Sequence, residues 1–146
     1  MTIRKMNIGD YKNTYDLWLY CKGMGLNDVD DSEGGIARFL ERNPETCFVA
    51  EENGGLIGVI LAGNDGRRGY IYHTAVHPSY RERGVGSALV QSVLKALEQL
   101  NISKAALVVF QKNADGNAFW EKQGFTVRTD LTYRNKALVE MVRTDT

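Results

Sequence analysis

The sequence predicts an α/β domain in which a mixed β-sheet carries helices on both faces. Three apolar segments between residues 46 and 76 are separated by Asn53-Gly54 and Asn64-Asp65-Gly66, which are tight-turn sequences and therefore predict an antiparallel meander. A long amphipathic helix and another apolar segment follow, so the last strand of this group is predicted to run parallel to the strand before the helix. The length of 146 residues fits one domain, residues 1–146.

Apolar periodicity, caps and turns place the elements of the N-terminal half. The segment before Asn53-Gly54 is predicted to be a strand, and the one after it is almost wholly apolar, as in a central strand buried on both faces. The predicted elements are a strand over Thr2–Met6, a helix from Asp10 as N-cap to about Gly23, a polar loop over Gly25–Asp31, a helix from Ser32 to about Asn43, and strands over Thr46–Glu52, Leu56–Ala62 and Tyr70–Val76.

The C-terminal half begins with the longest predicted helix. Apolar residues recur every three or four positions from Val85 to Leu100, which is the period of an amphipathic helix. Later elements are predicted as a strand over Ala105–Phe110, a helix from about Asp115 to Gln123 with Gly124 as its left-handed cap, and closing strands over Phe125–Arg128 and Ala137–Val142 with a turn at Asn135-Lys136.

Composition excludes several classes of partner. Eighteen Lys and Arg residues balance 18 Asp and Glu residues, so nothing favours broad attraction to nucleic acid or to anionic lipid. Cys21 and Cys47 form no CxxC pair and are predicted to be buried free thiols, and two histidines do not complete a zinc site with them. Without a signal peptide or an apolar run of about 20 residues, we expect a cytoplasmic protein that binds neither metal nor membrane.

One turn carries the clearest chemical signal. The sequence Arg81-Glu82-Arg83-Gly84-Val85-Gly86-Ser87 lies between the strand ending at Val76 and the longest helix. A helix N-terminus presents unpaired N–H groups and the positive end of the helix dipole, and the two arginines add positive charge. Such a turn is suited to a pyrophosphate. The patterns GxxxxGK[ST] and GxGxxG are both absent, which disfavours nucleotide hydrolysis and Rossmann-type binding.

The turn and a second motif resemble a known family. Arg-x-x-Gly-x-Gly after Val76-His77-Pro78 resembles the acetyl-CoA signature of the GNAT superfamily of N-acetyltransferases, and Asn113 followed by Phe119–Phe125 resembles its last motif. The resemblance covers about residues 48–125. It implies a GNAT-like mixed central β-sheet, an antiparallel meander plus a parallel, splayed strand pair, and transfer of an acetyl group from acetyl-CoA to an amine.

The resemblance also implies which residues bind the acyl donor. The backbone of Val76 would bind the pantetheine arm and polarise the thioester, the turn would hold the pyrophosphate, and the last motif would line the other side of the channel. The implied cofactor-binding residues are Val76, Arg81, Glu82, Arg83, Gly84, Val85, Gly86, Ser87, Asn113, Phe119 and Trp120.

Candidate catalytic residues follow from what acyl transfer needs. Val76 is expected to help stabilise the oxyanion. His73 is the first candidate for a base, with a packed strand histidine as the alternative, and Glu51 is the second, with a solvated hairpin end as the alternative. Many relatives place tyrosine where this chain has Trp120, which cannot release its indole proton; Tyr133 is a candidate substitute, and the thiolate could also leave without an acid.

The acceptor side is less specified. In this family the loop between the first two helices usually builds the acceptor site, so Asp28, Asp30 and Asp31 are expected either to attract an amine or to be solvated loop residues. The resemblance implies a primary amine of a small molecule or of a protein as the acceptor. The alternative is a catalytically inactive acyl-CoA-binding sensor or regulatory domain. A free strand edge near the C-terminus is compatible with a homodimer.

Overall fold

A computed structural model describes residues 1–145 of the chain and shows the predicted mixed sheet. Five strands lie in the order β1-β2-β3-β4-β5; the first three pairs are antiparallel and β4 pairs with β5 in parallel. The elements are β1 Thr2–Lys5, α1 Tyr11–Tyr20, α2 Glu33–Arg42, β2 Phe48–Glu52, β3 Gly55–Asn64, β4 Arg68–Val76, α3 Val85–Gln99, β5 Lys104–Ala106 and α4 Ala114–Lys122, with short 3₁₀ turns at Ile8–Asp10 and Pro78–Tyr80.

Each face of the sheet has its own hydrophobic cluster. Trp18 and Leu17 of α1 pack with Ile36 of α2 against one face, while Leu89 and Val93 of α3 pack against the other. Strand β3 contributes to both clusters, which explains why its sequence is apolar without alternation. Full burial of one such aliphatic side chain contributes about 1.5–3 kcal/mol, so both helical layers hold the strands in place.

Two helix starts show how local sequence sets the element boundaries. Ser32 caps α2 as predicted, because its hydroxyl accepts from Gly35 N–H at 3.0 Å. Asp10 lies at the N-cap position of α1, as predicted, but the predicted role of its side chain was wrong. Its carboxylate does not cap α1; it accepts from Asn7 N–H at 2.9 Å in the 3₁₀ turn and receives the Arg4 guanidinium.

The predicted closing strands are absent from the described residues. Neither Phe125–Arg128 nor Ala137–Val142 forms a strand, and β5 ends at Ala106 rather than Phe110. A strand needs a partner for its N–H and C=O groups as well as suitable side chains. Here β5 pairs with β4 over only three residues, Lys104–Ala106, so the sheet provides no extended edge for the later segments.

The C-terminal residues bind instead to the loop between α1 and α2. Leu26 N–H donates to the buried Asp145 carboxylate at 2.7 Å, and Val142 N–H donates to Asp28 at 2.7 Å. An isolated bridge joins Asn27 to Arg143. This attachment holds the loop that carries Asp30 and Asp31 in position. Thr146 lies outside the described residues, and with it the end of the predicted single domain.

Candidate functional site

The turn before α3 is built so that its backbone N–H groups are available. Glu82 and Gly84 both have left-handed backbones, with φ of +60° and +82°. Within residues 1–145, none of the N–H groups from Glu82 to Ser87 donates a hydrogen bond, and the first bond of α3 is Ala88 N–H to Gly84 O at 3.0 Å. A run of free donors at the positive end of a helix matches the oxygens of a pyrophosphate.

The two glycines of the turn are needed for different structural reasons. Gly84 has open space around it and is needed for its positive φ. Gly86 instead faces the ring of Phe119, and a Cβ built there would lie 3.0 Å from a ring carbon. Gly86 therefore lets the second motif pack directly on the start of α3, a contact that the sequence did not reveal.

Both arginine side chains of the turn have partners elsewhere. The Arg83 guanidinium lies 3.1 Å from a Glu52 oxygen and 5.0 Å from the centre of the Tyr80 ring. Arg81 donates through Nε to Val76 O at 3.4 Å. The backbone of the turn thus supplies free donors, and a contribution of the two arginines to anion binding stays a prediction.

The end of β4 is open on the side of β5. His77 N–H donates to Ile57 O at 2.8 Å, and successive residues of a strand direct their N–H groups to opposite sides, so Val76 N–H points away from β3. Strand β5 pairs with β4 only over Arg68–Tyr70, so it provides no strand partner for Val76 N–H on that side. The Thr74 hydroxyl in the same stretch is buried without a hydrogen-bond partner among residues 1–145. The gap can therefore accept hydrogen-bonding groups of a ligand.

Helix α4 packs against the start of α3 through Phe119. Asn113 caps α4, because its side-chain oxygen accepts from Gly116 N–H at 2.9 Å. Phe119 and Trp120 stack edge-to-face with ring centres 5.0 Å apart, and Trp120 packs in the same way on Phe125 at 5.2 Å. The predicted residues of the second motif thus meet those of the turn, with Asn113 acting on its own helix.

A bulge in β4 places His73 beside the loop between α1 and α2. His73 and Thr74 together oppose Ile60, and His73 has a φ of +39°. Such a conformation costs about 1–3 kcal/mol, and Trp18 supports it: the indole Nε1 donates to His73 O at 3.2 Å, and the two rings lie 5.1 Å apart. The sequence predicted a strand at this position and did not reveal the bulge.

The imidazole of His73 pairs with the buried carboxylate of Asp31. His73 Nε2 lies 2.8 Å from Asp31 Oδ1, and the two side chains are 16% and 4% exposed. The other oxygen of Asp31 accepts from Asn27 N–H at 2.9 Å. An ionised Asp31 accepts only, so Nε2 carries the proton and Nδ1 of a neutral imidazole is left as an acceptor. Asp31 is therefore an ordered partner of the histidine rather than a solvated loop residue.

Glu51, the second predicted base, belongs to an ion-pair network. Its carboxylate accepts from Arg4 Nε at 2.7 Å, and the same guanidinium binds Asp10 at 2.7 Å. Arg4 lowers the pKa of the Asp10 carboxyl, with a further contribution from Asn7 N–H against the effect of burial. These contacts give the Glu51 carboxylate a structural role in the ion-pair network. A catalytic role for Glu51 stays a prediction.

Tyr133, the predicted substitute acid, and His77, which follows Val76, lie on different surfaces. Tyr133 is exposed and adjoins Tyr70 and Tyr72, whose pKa values are raised first by burial and then by this neighbour. His77 lines an open cleft of about 380 Å³ between α1 and the β2–β3 turn, which contains neither His73 nor the turn before α3. This cleft is thus separate from the candidate site.

Comparison with known proteins decides the family. The sequence model of the Acetyltransferase (GNAT) family matches residues 11–125. The chain belongs to the GNAT acetyltransferase family. An acetyltransferase of Yersinia pestis is 31% identical over 140 residues, which covers 96% of this chain and 98% of the relative. One of Sodalis glossinidius is 33% identical, covering 96% and 97%.

Solved structures confirm the GNAT fold. The Ard1 structure from Thermoplasma volcanium matches with a TM-score of 0.78 and 24% identity, over 87% of this chain and 83% of that one. The PaiA N-acetyltransferase of Thermoplasma acidophilum, solved in complex with coenzyme A, matches with a TM-score of 0.75 and 21% identity, over 87% and 90%. The predicted mixed sheet is therefore confirmed.

Residues 1–145 of this GNAT chain contain neither a helix that could cross a membrane nor a cluster that could hold a metal ion. No helix within residues 1–145 is both long and apolar enough to cross a membrane. The same residues contain no group of three or more His, Cys, Asp or Glu side chains placed to hold a metal ion. Cys21 and Cys47 are free and buried, as predicted, and burial raises the pKa of the Cys47 thiol to about 12.

Proposed function

We propose that this GNAT protein transfers an acetyl group from acetyl-CoA to a primary amine, directly and within a ternary complex. The observation that carries the proposal is the run of free N–H groups from Glu82 to Ser87, next to the unpaired end of β4. Acetyl-CoA would supply the acyl group as a thioester. The turn would bind its pyrophosphate, and Val76 N–H would donate to the carbonyl oxygen on which negative charge develops.

His73 is the proposed base for the acceptor amine. Its Nε2–H is held by Asp31, which leaves Nδ1 to accept a proton as the new C–N bond forms. The C–S bond breaks in the same reaction, and the proton leaves the amine nitrogen for the imidazole. Trp120 packs between two phenylalanines and cannot release an indole proton, so the thiolate is proposed to leave as the anion.

Direct transfer is favoured over an acyl-enzyme by the state of the nearest cysteine. Cys21 Sγ lies 3.7 Å from Val76 O, close to the proposed reaction centre. Burial raises the pKa of this thiol, an effect that Arg81 only partly offsets. A protonated thiol is a poor nucleophile. We therefore expect Cys21→Ala to keep the rate within about threefold.

The proposal is tested by acetyl transfer to a panel of primary amines, with free CoA thiol and product mass as readouts. Initial rates measured against both substrates should give intersecting reciprocal plots, because both must be bound before transfer. Parallel plots, or an acetylated enzyme, would contradict the ternary complex. Acetyl-CoA binding without transfer to any amine would favour the inactive sensor instead.

His73→Gln tests the base. Removal of a general base typically reduces the rate by about 10²–10⁴-fold, and we expect a fall in kcat within that range with the dissociation constant of acetyl-CoA unchanged. Glu51→Gln is the matched comparison. If Glu51→Gln caused the larger fall in kcat, the assignment of His73 would be wrong.

A further inference from the structure

Two tyrosines of β4 face the side of the sheet that carries the His73–Asp31 pair. They alternate with Gly69 and Ile71, which face α3: a Cβ on Gly69 would meet Leu97, and Ile71 belongs to the α3 cluster. Tyr70 and Tyr72 therefore point towards α1 and α2.

The tyrosine rings form a continuous surface that reaches the imidazole. Tyr70 and Tyr72 lie 4.8 Å apart between ring centres, and Tyr72 meets His73 at 6.3 Å. The rings of Phe39 of α2 and Tyr72 are perpendicular, with centres 5.7 Å apart, and this contact restricts the Tyr72 ring. Tyr72 is still 43% exposed, so a ligand can contact it.

The charge beside this surface is negative and not neutralised. Asp30 is exposed and contributes to the raised pKa of Tyr72, after burial and Tyr133. Its carboxylate accepts from Asn27 Nδ2 at 3.2 Å, and no Lys or Arg of residues 1–145 forms an ion pair with it. Aromatic faces and an unpaired carboxylate both attract cations, and each effect is stronger where water is partly excluded.

We propose that Tyr70, Tyr72 and Asp30 bind a second, non-reacting ammonium group of the acceptor, so that the acceptor is a diamine-type molecule. This inference rests on the proposed function. The reacting amine lies at His73, and the second nitrogen lies over the tyrosine rings, a short carbon chain away. An acceptor with a carboxylate or phosphate in place of that nitrogen is disfavoured, since its charge opposes that of Asp30.

Amine binding to the CoA-loaded protein tests this inference without acetyl transfer, because CoA carries no acetyl group. The probes are 1,5-diaminopentane, pentylamine and 6-aminohexanoate, titrated by calorimetry. We expect the diamine to bind at least tenfold more tightly than the monoamine and the amino acid to bind most weakly. Asp30→Asn and Tyr72→Leu should each reduce diamine affinity about tenfold, and Tyr72→Phe, which keeps the ring, should reduce it less than threefold.

The control is Glu98→Gln, an exposed acid on α3 across the sheet, which should leave all three affinities unchanged. Equal affinity for diamine and monoamine, or undiminished diamine binding in both Asp30→Asn and Tyr72→Leu, would overturn the inference. The transfer assay separates the two proposals: a protein that prefers the diamine but acetylates no amine contradicts only the proposed function. One that acetylates monoamine and diamine with equal KM contradicts only the present inference.

Discussion

The turn before α3 and the β4 face around His73 would both contact substrates, yet they offer different kinds of chemical group. The turn offers main-chain N–H groups, whose positions depend on the left-handed residues Glu82 and Gly84. The β4 face offers side chains that come from separate elements, as in the contact between His73 and Asp31. Main-chain donors suit a ligand part common to every reaction, whereas side chains can set which acceptor is used.

The largest effect is expected from a substitution that changes the backbone of the turn. Gly84→Val introduces a branched residue at φ +82°, where it is strained by about 1–3 kcal/mol or forces the turn to rearrange. Displaced N–H donors to a charged phosphate lose about 1.5–3 kcal/mol each. We expect acetyl-CoA affinity to fall at least 100-fold by calorimetry.

Gly66→Val is the matched control. Gly66 has a φ of +86° with open space around it, in the turn before β4 and outside the candidate site. The backbone strain is similar, so stability should fall similarly while acetyl-CoA affinity stays within twofold. Equal loss of affinity in both variants would mean that strain on the whole domain, rather than the geometry of the turn, controls binding.

A second prediction concerns the side-chain region. In Asp31→Asn the amide oxygen can still accept from Asn27 N–H, and the amide NH₂ then faces His73 Nε2. The imidazole must change tautomer, so Nδ1 becomes a donor and is lost as a base. We expect kcat to fall at least tenfold with the acetyl-CoA dissociation constant unchanged.

Asp28→Asn provides the comparison, because Asp28 lies in the same loop and, among residues 1–145, its carboxylate accepts only from Val142 N–H in the C-terminal segment. It should change kcat by less than twofold. Should Asp31→Asn weaken acetyl-CoA binding as much as it lowers kcat, its effect would be structural and the positioning role would be wrong.

The same contrast explains what the sequence could and could not predict. Gly84 and the helix after it are neighbours along the chain, so a local pattern contains the cofactor turn. His73 and Asp31 are separated along the chain by α2, β2 and β3, and the geometry of the pair depends on a bulge at a position where the local sequence indicates an ordinary strand. The closing strands failed for a related reason, since strand formation depends on a partner that local propensity does not supply.

A third prediction separates stability from chemistry at Glu51. Arg4 holds both Glu51 and the mostly buried Asp10, so Arg4→Met leaves a carboxylate without its cation and should destabilise the protein by about 1–2 kcal/mol. The exposed Lys5–Glu45 pair is the control, and Lys5→Met should change stability by less than about 0.5 kcal/mol. Urea unfolding measures both.

The pH dependence of this effect has a defined sign. The folded-state pKa of Asp10 is lowered, chiefly by Arg4, so its stabilisation is present above the unfolded pKa of about 3.9 and is lost as the pH falls through the lower folded value. Asp10→Asn should therefore show a shallower loss of stability in acid than the parent. A parallel loss in both proteins would contradict the network. Neither Arg4→Met nor Asp10→Asn should alter kcat if Glu51 is not the base.

The smallest predicted effect tests the contact between the two motifs. Gly86→Ala places a Cβ 3.0 Å from the Phe119 ring, which must shift by a few tenths of an ångström, and overpacking of this kind destabilises by about 1–3 kcal/mol where the neighbour cannot move. Phe119 is only partly buried and can give way, so we expect about 1 kcal/mol and a two- to fivefold loss of acetyl-CoA affinity. Phe119→Leu removes the ring, and in that background Gly86→Ala should have little further effect on stability or affinity. If the effects of the two substitutions were additive, the added Cβ at residue 86 would act on the ligand directly and not through Phe119. Ligand binding itself would then require glycine at both Gly84 and Gly86.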